Sequence, residues 1–113
     1  MFGTGGILIC HGFYLCYPTG YEGGSNMLIF TNGTWVEASQ AVIPFQDQGF
    51  LYGDSLFETV RVNQGQPFRM EKHLERMRSG MKTIHLHATS LLENIPSLLE
   101  TCIDKNQLQN ALI

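Results

Sequence analysis

From Met27 onward, apolar and polar positions fall into patterns that name their elements. Leu28-Ile29-Phe30-Thr31 and Thr34-Trp35-Val36 flank an Asn32-Gly33 pair. Asn-Gly readily takes the positive φ angles of a type I′ turn, whose twist matches the strands it joins, so a tight β-hairpin is predicted. The same Asn32-Gly33-Thr34 is formally a glycosylation sequon. Nothing indicates secretion, and the turn accounts for it. Pro44 to Gly53 is loop-like. Leu56 to Val62 is a strand by its β-branched and aromatic content. Asn63-Gln64-Gly65-Gln66 then turns the chain into a short return strand at Pro67-Phe68-Arg69, where Pro67, lacking an amide donor, belongs at a start or an edge.

The pattern then changes period. Met70, Leu74, Met77, Met81 and Ile84 recur at steps of four and three, which predicts one apolar face of a helix of about four turns. A methionine stripe of this kind is core packing. Gly80 inside it costs roughly 1 kcal/mol against alanine, which points to a close neighbour. A second helix is predicted to begin near Ser90 or at Pro96, burying Leu98, Leu99, Cys102 and Ile103. Asn110-Ala111-Leu112-Ile113 reads as a strand just beginning. Together these predict an α+β fold: a small, mostly antiparallel sheet with two helices packed on one face. Residues 1–26 differ in texture, with recurring glycines around an apolar patch from Ile7 to Tyr17 and no clear period. They are expected to be an N-terminal extension outside the fold, upstream of a start at Met27, with 27–113 forming the domain.

Composition narrows the classes. At 113 residues, 43% hydrophobic and 15% charged, the chain fits one globular domain and neither a disordered nor a membrane-spanning class. A net charge of -3 gives no general attraction for nucleic acid or an anionic membrane. Any bound anion must therefore be held by a few placed arginines. Cys10, Cys16 and Cys102 are an odd count without repeated spacing, so reduced thiols in a cytoplasmic protein are expected. There is no apolar run of about 18 residues for a membrane helix. The first 20 residues carry no lysine or arginine and so lack the basic start of a signal peptide. Gly3-Thr4-Gly5-Gly6 is too short for a phosphate loop, and Cys10, His11 and Cys16 lack a fourth partner, so no metal site is assigned.

Candidate chemistry concentrates in the strand and the first helix. Side chains alternate along a strand, which puts Phe57, Thr59 and Arg61 on one face and Leu56, Glu58, Val60 and Val62 on the other. An aromatic, a hydroxyl and a cation together suit a pocket for an anionic organic molecule, although the pattern alone favours Arg61 as merely a solvated strand residue. Glu58 lies among apolar neighbours on the helix-facing side and needs a donor or an opening to water there. On the helix, Arg76 borders the apolar stripe, where its stem can pack while its head reaches a phosphate.

The ordered stretch Asp47-Gln-Gly-Phe-Leu-Tyr-Gly-Asp-Ser-Leu-Phe-Glu-Thr-Val-Arg61, followed by Gly65-Gln-Pro-Phe-Arg-Met-Glu-Lys-His73-Leu-Glu-Arg76-Met, resembles the class IV (fold-type IV) pyridoxal-phosphate enzymes. Their members include branched-chain and D-amino-acid aminotransferases and aminodeoxychorismate lyases. The resemblance covers residues 27 to about 113. It implies that Arg76, closing a His-x-x-Arg pattern, holds the phosphate of pyridoxal 5′-phosphate. It also implies that Tyr52, Phe57 and Arg61 line the substrate pocket. Gln48 stands where the family often has arginine.

The lysine that bonds to pyridoxal lies in the family's second domain, so the chain is expected to stop short of it. Lys72 and Lys82 sit on the polar face of the first helix and Lys105 follows a helix, so none suits a buried Schiff base, which leaves no catalytic residue within these 113 residues. The implied activity of the parent is transamination of an amino acid, branched-chain-like, in a homodimer. The alternative is pyruvate elimination by an aminodeoxychorismate lyase. A third possibility, of another class, is a non-catalytic truncated domain or interaction module. For Arg61 and Arg76 to serve one cofactor–substrate adduct, their guanidinium groups are expected to face a common hollow.

Overall fold

The structure, a computed structural model, describes residues 5–10, 14–18 and 26–113. Its elements are β1 (Gly6–Cys10), β2 (Tyr14–Tyr17), β3 (Leu28–Thr31), β4 (Thr34–Glu37), α1 (Gln48–Tyr52), β5 (Ser55–Glu58), β6 (Arg61–Asn63), β7 (Gln66–Pro67), α2 (Met70–Thr83), α3 (Thr89–Asn106) and β8 (Asn110–Leu112). The strands make a five-stranded sheet in the order β4-β3-β2-β1-β5 and a three-stranded sheet in the order β7-β6-β8. Every pairing is antiparallel. With its helices, this is the α+β architecture expected from the sequence.

Two turns set the hairpin registers. Asn32 (φ 46°) and Gly33 (φ 89°) close β3 on β4 with Thr31 opposite Thr34. Gln64 (φ 50°) and Gly65 (φ 76°) close β6 on β7 in the same way. The second return strand ends at Pro67, earlier than predicted, because Arg69 takes a left-handed φ of 55° that reverses the chain into α2.

The strand predicted from Leu56 to Val62 is divided into β5 and β6 because its partner changes midway. β1 runs beside β5 and β8 beside β6. At the handover Val60 still exchanges both backbone hydrogen bonds with Ile113, and the Thr59 hydroxyl donates to the Gly5 carbonyl at 3.2 Å.

For the described part of residues 1–26, the structure corrects the expectation of an extension outside the fold. β1 and β2 lie inside the five-stranded sheet, and Ile7, Ile9 and Cys16 are fully buried. The glycines that gave this segment its irregular texture allow close approach. A Cβ at Gly6 would stand 2.2 Å from the Phe57 ring, and one at Gly5 would stand 2.2 Å from the Leu112 carbonyl oxygen. Gly3, Thr4 and His11 lie outside the described residues, and with them the glycine run and the Cys10–His11–Cys16 grouping considered above.

The helices cover one face of the larger sheet. Leu74, Met77 and Met81 from α2 meet Ile7, Ile9, Val60 and Val62 in one core, with Leu92, Ile95, Leu99, Cys102 and Ile103 from α3. The methionine stripe is thus core. A Cβ at Gly80 would fall 2.7 Å from Leu56 Cδ2, the close neighbour that the glycine implied.

Near the predicted Ser90, α3 begins at Thr89, and Pro96 lies inside it rather than opening it. The missing amide costs one bond to the Leu92 carbonyl in a helix of 18 residues that buries Leu92, Ile95, Leu99, Cys102 and Ile103. Asn106 fastens the end of α3 to the start of β3, accepting from Leu28 N at 2.8 Å and donating to Leu28 O at 3.0 Å. No described helix is long and apolar enough to cross a membrane.

The stretch predicted as loop from Pro44 to Gly53 contains α1. Asp47 caps its start by accepting from Phe50 N at 2.8 Å, and Gly53 ends it at φ 70°. These are the residue types that begin and end a helix, set here with only five residues between them.

Candidate functional site

Glu58 closes β5 with the same parity as Val60 and Val62, so its carboxylate points beneath the helices rather than into solvent. Only 7% of the residue is exposed. The reversal at Arg69 brings α2 back across β5. His73 and Arg76, one turn apart on that helix, both reach the carboxylate. Arg76 donates through Nε to Oε1 at 2.5 Å and through Nη2 to Oε2 at 2.7 Å. His73 Nδ1 lies 2.7 Å from Oε2. An ionised carboxylate can only accept, so Nδ1 carries the proton in this bond. The 3.3 Å approach of Arg76 Nη2 to the same nitrogen is then a contact between two donors.

The electrostatics follow from this arrangement. Burial pushes the Glu58 carboxyl upward, but hydrogen bonds from Arg76 and His73, together with their charge, outweigh it and hold the group below its ordinary value. The hydrogen bond and charge of Glu58 in turn raise Arg76. The arginine side chain is 68% exposed although its partner is 8% exposed. A guanidinium has five N–H groups in one plane, and two of them are spent on Glu58. The remaining edge, Nη1 and the second Nη2 proton, is offered outward. That edge matches two oxygens of a phosphate or carboxylate.

Phe57 and Arg61 share a face, as the alternation predicted, and it is the face away from α2. Phe57 is half exposed and borders a hollow of about 370 Å³ together with Leu8, Tyr17, Ile29, Val42 and Ile43. Arg61 is exposed beside Asn110 and Leu112 on the smaller sheet. Tyr52 ends α1 and is 78% exposed.

The structure therefore brings Arg76 to Glu58 and His73 but does not bring Arg61 to Arg76. Glu58 and Arg61 are three positions apart in extended chain and face opposite ways, which corrects the expectation of a common hollow. The physical reason was available beforehand. Glu58 had the helix-facing parity, Arg61 the other, and Arg76 sits on the helix. The donors to Glu58 were the residues missed, and the same parity pointed to them.

The three lysines are exposed. Lys72 pairs with Glu75 at 3.2 Å on the surface, Lys82 is solvated, and Lys105 stands 5.7 Å above the Trp35 ring.

Comparison with known proteins adds a second line. Residues 55–113, more than half of the chain, match the family described as amino-transferase class IV. The chain is 32% identical over 85 residues to a D-alanine aminotransferase of Staphylococcus aureus (strain MSSA476), covering 75% of this chain and 30% of that protein. It is 32% identical over 83 residues to an aminodeoxychorismate lyase of Bacillus subtilis (strain 168), covering 74% and 28%. A D-alanine aminotransferase of Staphylococcus haemolyticus is 26% identical over 82 residues, covering 73% and 29%. The chain thus spans about 30% of the length of the curated relatives it matches.

Proposed function

The chain belongs to the class IV aminotransferases, and from that membership we propose that it supplies the phosphate-gripping part of an enzyme that uses pyridoxal 5′-phosphate to work at the α-carbon of an amino acid. The observation that carries this reading is the outward edge of Arg76, at the end of the His-x-x-Arg pattern and oriented by Glu58. A phosphate monoester fits that edge because two parallel N–H groups remain free to meet two of its oxygens. The cofactor, when bound, withdraws electrons from the α-carbon of the substrate. This chain's own contribution is binding and orientation: Arg76 fixes the phosphate end, and Glu58 fixes Arg76.

Tyr52, Phe57 and Arg61 belong to the substrate side in this proposal. Among the described residues β5 is the terminal strand of its sheet, so a molecule lying along its outer edge could meet Arg76 from one face and Phe57 from the other. Arg61 would pair with a substrate carboxylate further along the same run. Transamination of an amino acid is the first reading. Pyruvate elimination of the aminodeoxychorismate lyase type is the second, favoured by the equal 32% identity to one relative of each kind.

With all three lysines exposed, binding without turnover is the behaviour proposed for these 113 residues. Equilibrium dialysis against pyridoxal 5′-phosphate and against pyridoxal tests it. The phosphate ester should bind more tightly, and the preference should vanish in Arg76→Ala. Equal binding of the two compounds by the unsubstituted chain sinks the assignment of Arg76. Borohydride reduction that labels one specific lysine in high yield would overturn the absence of turnover chemistry.

A further inference from the structure

We propose that Glu58 is a positioning residue for anion binding: it locks the guanidinium of Arg76 by its Nε–Nη2 edge, so that the other edge is presented, already oriented, to a phosphate monoester. The proposal rests on the reading of Arg76 as the phosphate ligand and adds the residue that makes the grip effective.

Three observations carry it. The pair is two-pronged, with bonds of 2.5 and 2.7 Å, so it fixes the plane of the guanidinium as well as its place. Glu58 is nearly buried while Arg76 is largely exposed, so the anchor lies inside the fold and the anchored group outside it. His73 occupies the Glu58 oxygen that also receives Nη2, which limits rotation of the carboxylate about its own bond.

An exposed arginine without such an anchor samples many rotamers and must be ordered when its ligand binds. One already ordered is spared that loss. Glu58 also carries a negative charge that opposes an incoming phosphate. The phosphate would sit across the guanidinium on its solvent side, where water screens that repulsion, whereas the orienting bonds are made on the buried side. Orientation is therefore expected to outweigh repulsion.

The test uses the whole chain, with inorganic phosphate and pyridoxal 5′-phosphate as probes and ³¹P NMR titration as the readout. Glu58→Gln should weaken phosphate binding by about three- to tenfold, as expected for freeing one long side chain. It should also abolish the slowly exchanging Nε–H proton signal of Arg76, which a purely structural role elsewhere would not move. Arg76→Lys keeps the charge but cannot make the two-pronged pair, and should bind phosphate as weakly as Arg76→Ala.

If the unsubstituted chain binds phosphate no better than Arg76→Ala does, the reading of Arg76 itself fails. If binding depends on Arg76 but Glu58→Gln binds equally or more tightly, the positioning role fails and the reading of Arg76 stands. Should Glu58→Gln not fold, Arg76→Lys decides, since binding as tight as in the unsubstituted chain overturns the proposal.

Discussion

Glu58 ties stability to pH in a defined direction. Its folded-state pKa is depressed below the unfolded value, which for glutamate is about 4.3. Its contribution is therefore fully present above that value and is lost as pH falls through the folded pKa. Melting temperature should drop on acidification below about pH 4, and Glu58→Gln should flatten that part of the profile. A profile unchanged by the substitution would mean that the pair contributes nothing to folding. Arg76→Ala should lower stability at neutral pH, because Glu58 would remain under the helices with His73 alone. Gly33 illustrates a different residue-scale constraint. At φ 89° it sits where a Cβ is disfavoured, so Gly33→Ala should cost on the order of 1 kcal/mol in chemical denaturation.

At the scale of elements, stability rests on the contact between α3 and the sheet. Leu99 is fully buried, and Leu99→Ala should cost about 2–5 kcal/mol, measured by urea unfolding. At Gly80, the helix-propensity gain of about 1 kcal/mol from alanine is set against displacement of the Leu56 side chain. A larger residue there should separate α2 from β5, loosening Glu58 from Arg76.

The elements themselves were legible in proportion to their length and period. The stripe from Met70 to Ile84 and the Asn32-Gly33 turn were plain because each follows one strong physical rule. α1 was not, because a five-residue helix has no period to read. β1 was missed for the same reason: Ile7 and Ile9 alternate correctly, but within five residues the neighbouring glycines dominated the pattern. Its role emerges only when β5 is seen to pair with β1, its one neighbour in that sheet among the described residues. The site was half legible. Parity along the run from β5 to β6 separated buried Glu58 from exposed Phe57 and Arg61, whereas the distance from Glu58 to Arg76 depends on how α2 crosses the sheet, which no local pattern encodes.

At the scale of the whole molecule, one stretch of surface stands out. Val42, Phe45, Phe50 and Tyr52 are each more than 60% exposed within eleven residues, and Val42 also lines the hollow that Phe57 borders. Exposed apolar area of this kind marks an interaction surface. Self-association of the chain is the expected outcome, checked by sedimentation velocity over a range of concentrations. Replacing Val42 and Phe45 by glutamate should shift the distribution toward monomer, and an unchanged distribution would assign the contact elsewhere.

The thiols of Cys16 and Cys102 meet across the boundary between β2 and α3. That of Cys16 is pushed up by its hydrogen bond with Cys102 and by burial. The hydrogen bond with Cys16 lowers Cys102 instead, but both sulfurs are buried, and sulfur out of solvent does not meet alkylating reagents until the strand lifts away. Peptide-resolved alkylation at these two positions is thus a clock for departure of the N-terminal hairpin, and equal, slow labelling of both would give the rate at which that hairpin leaves the helix.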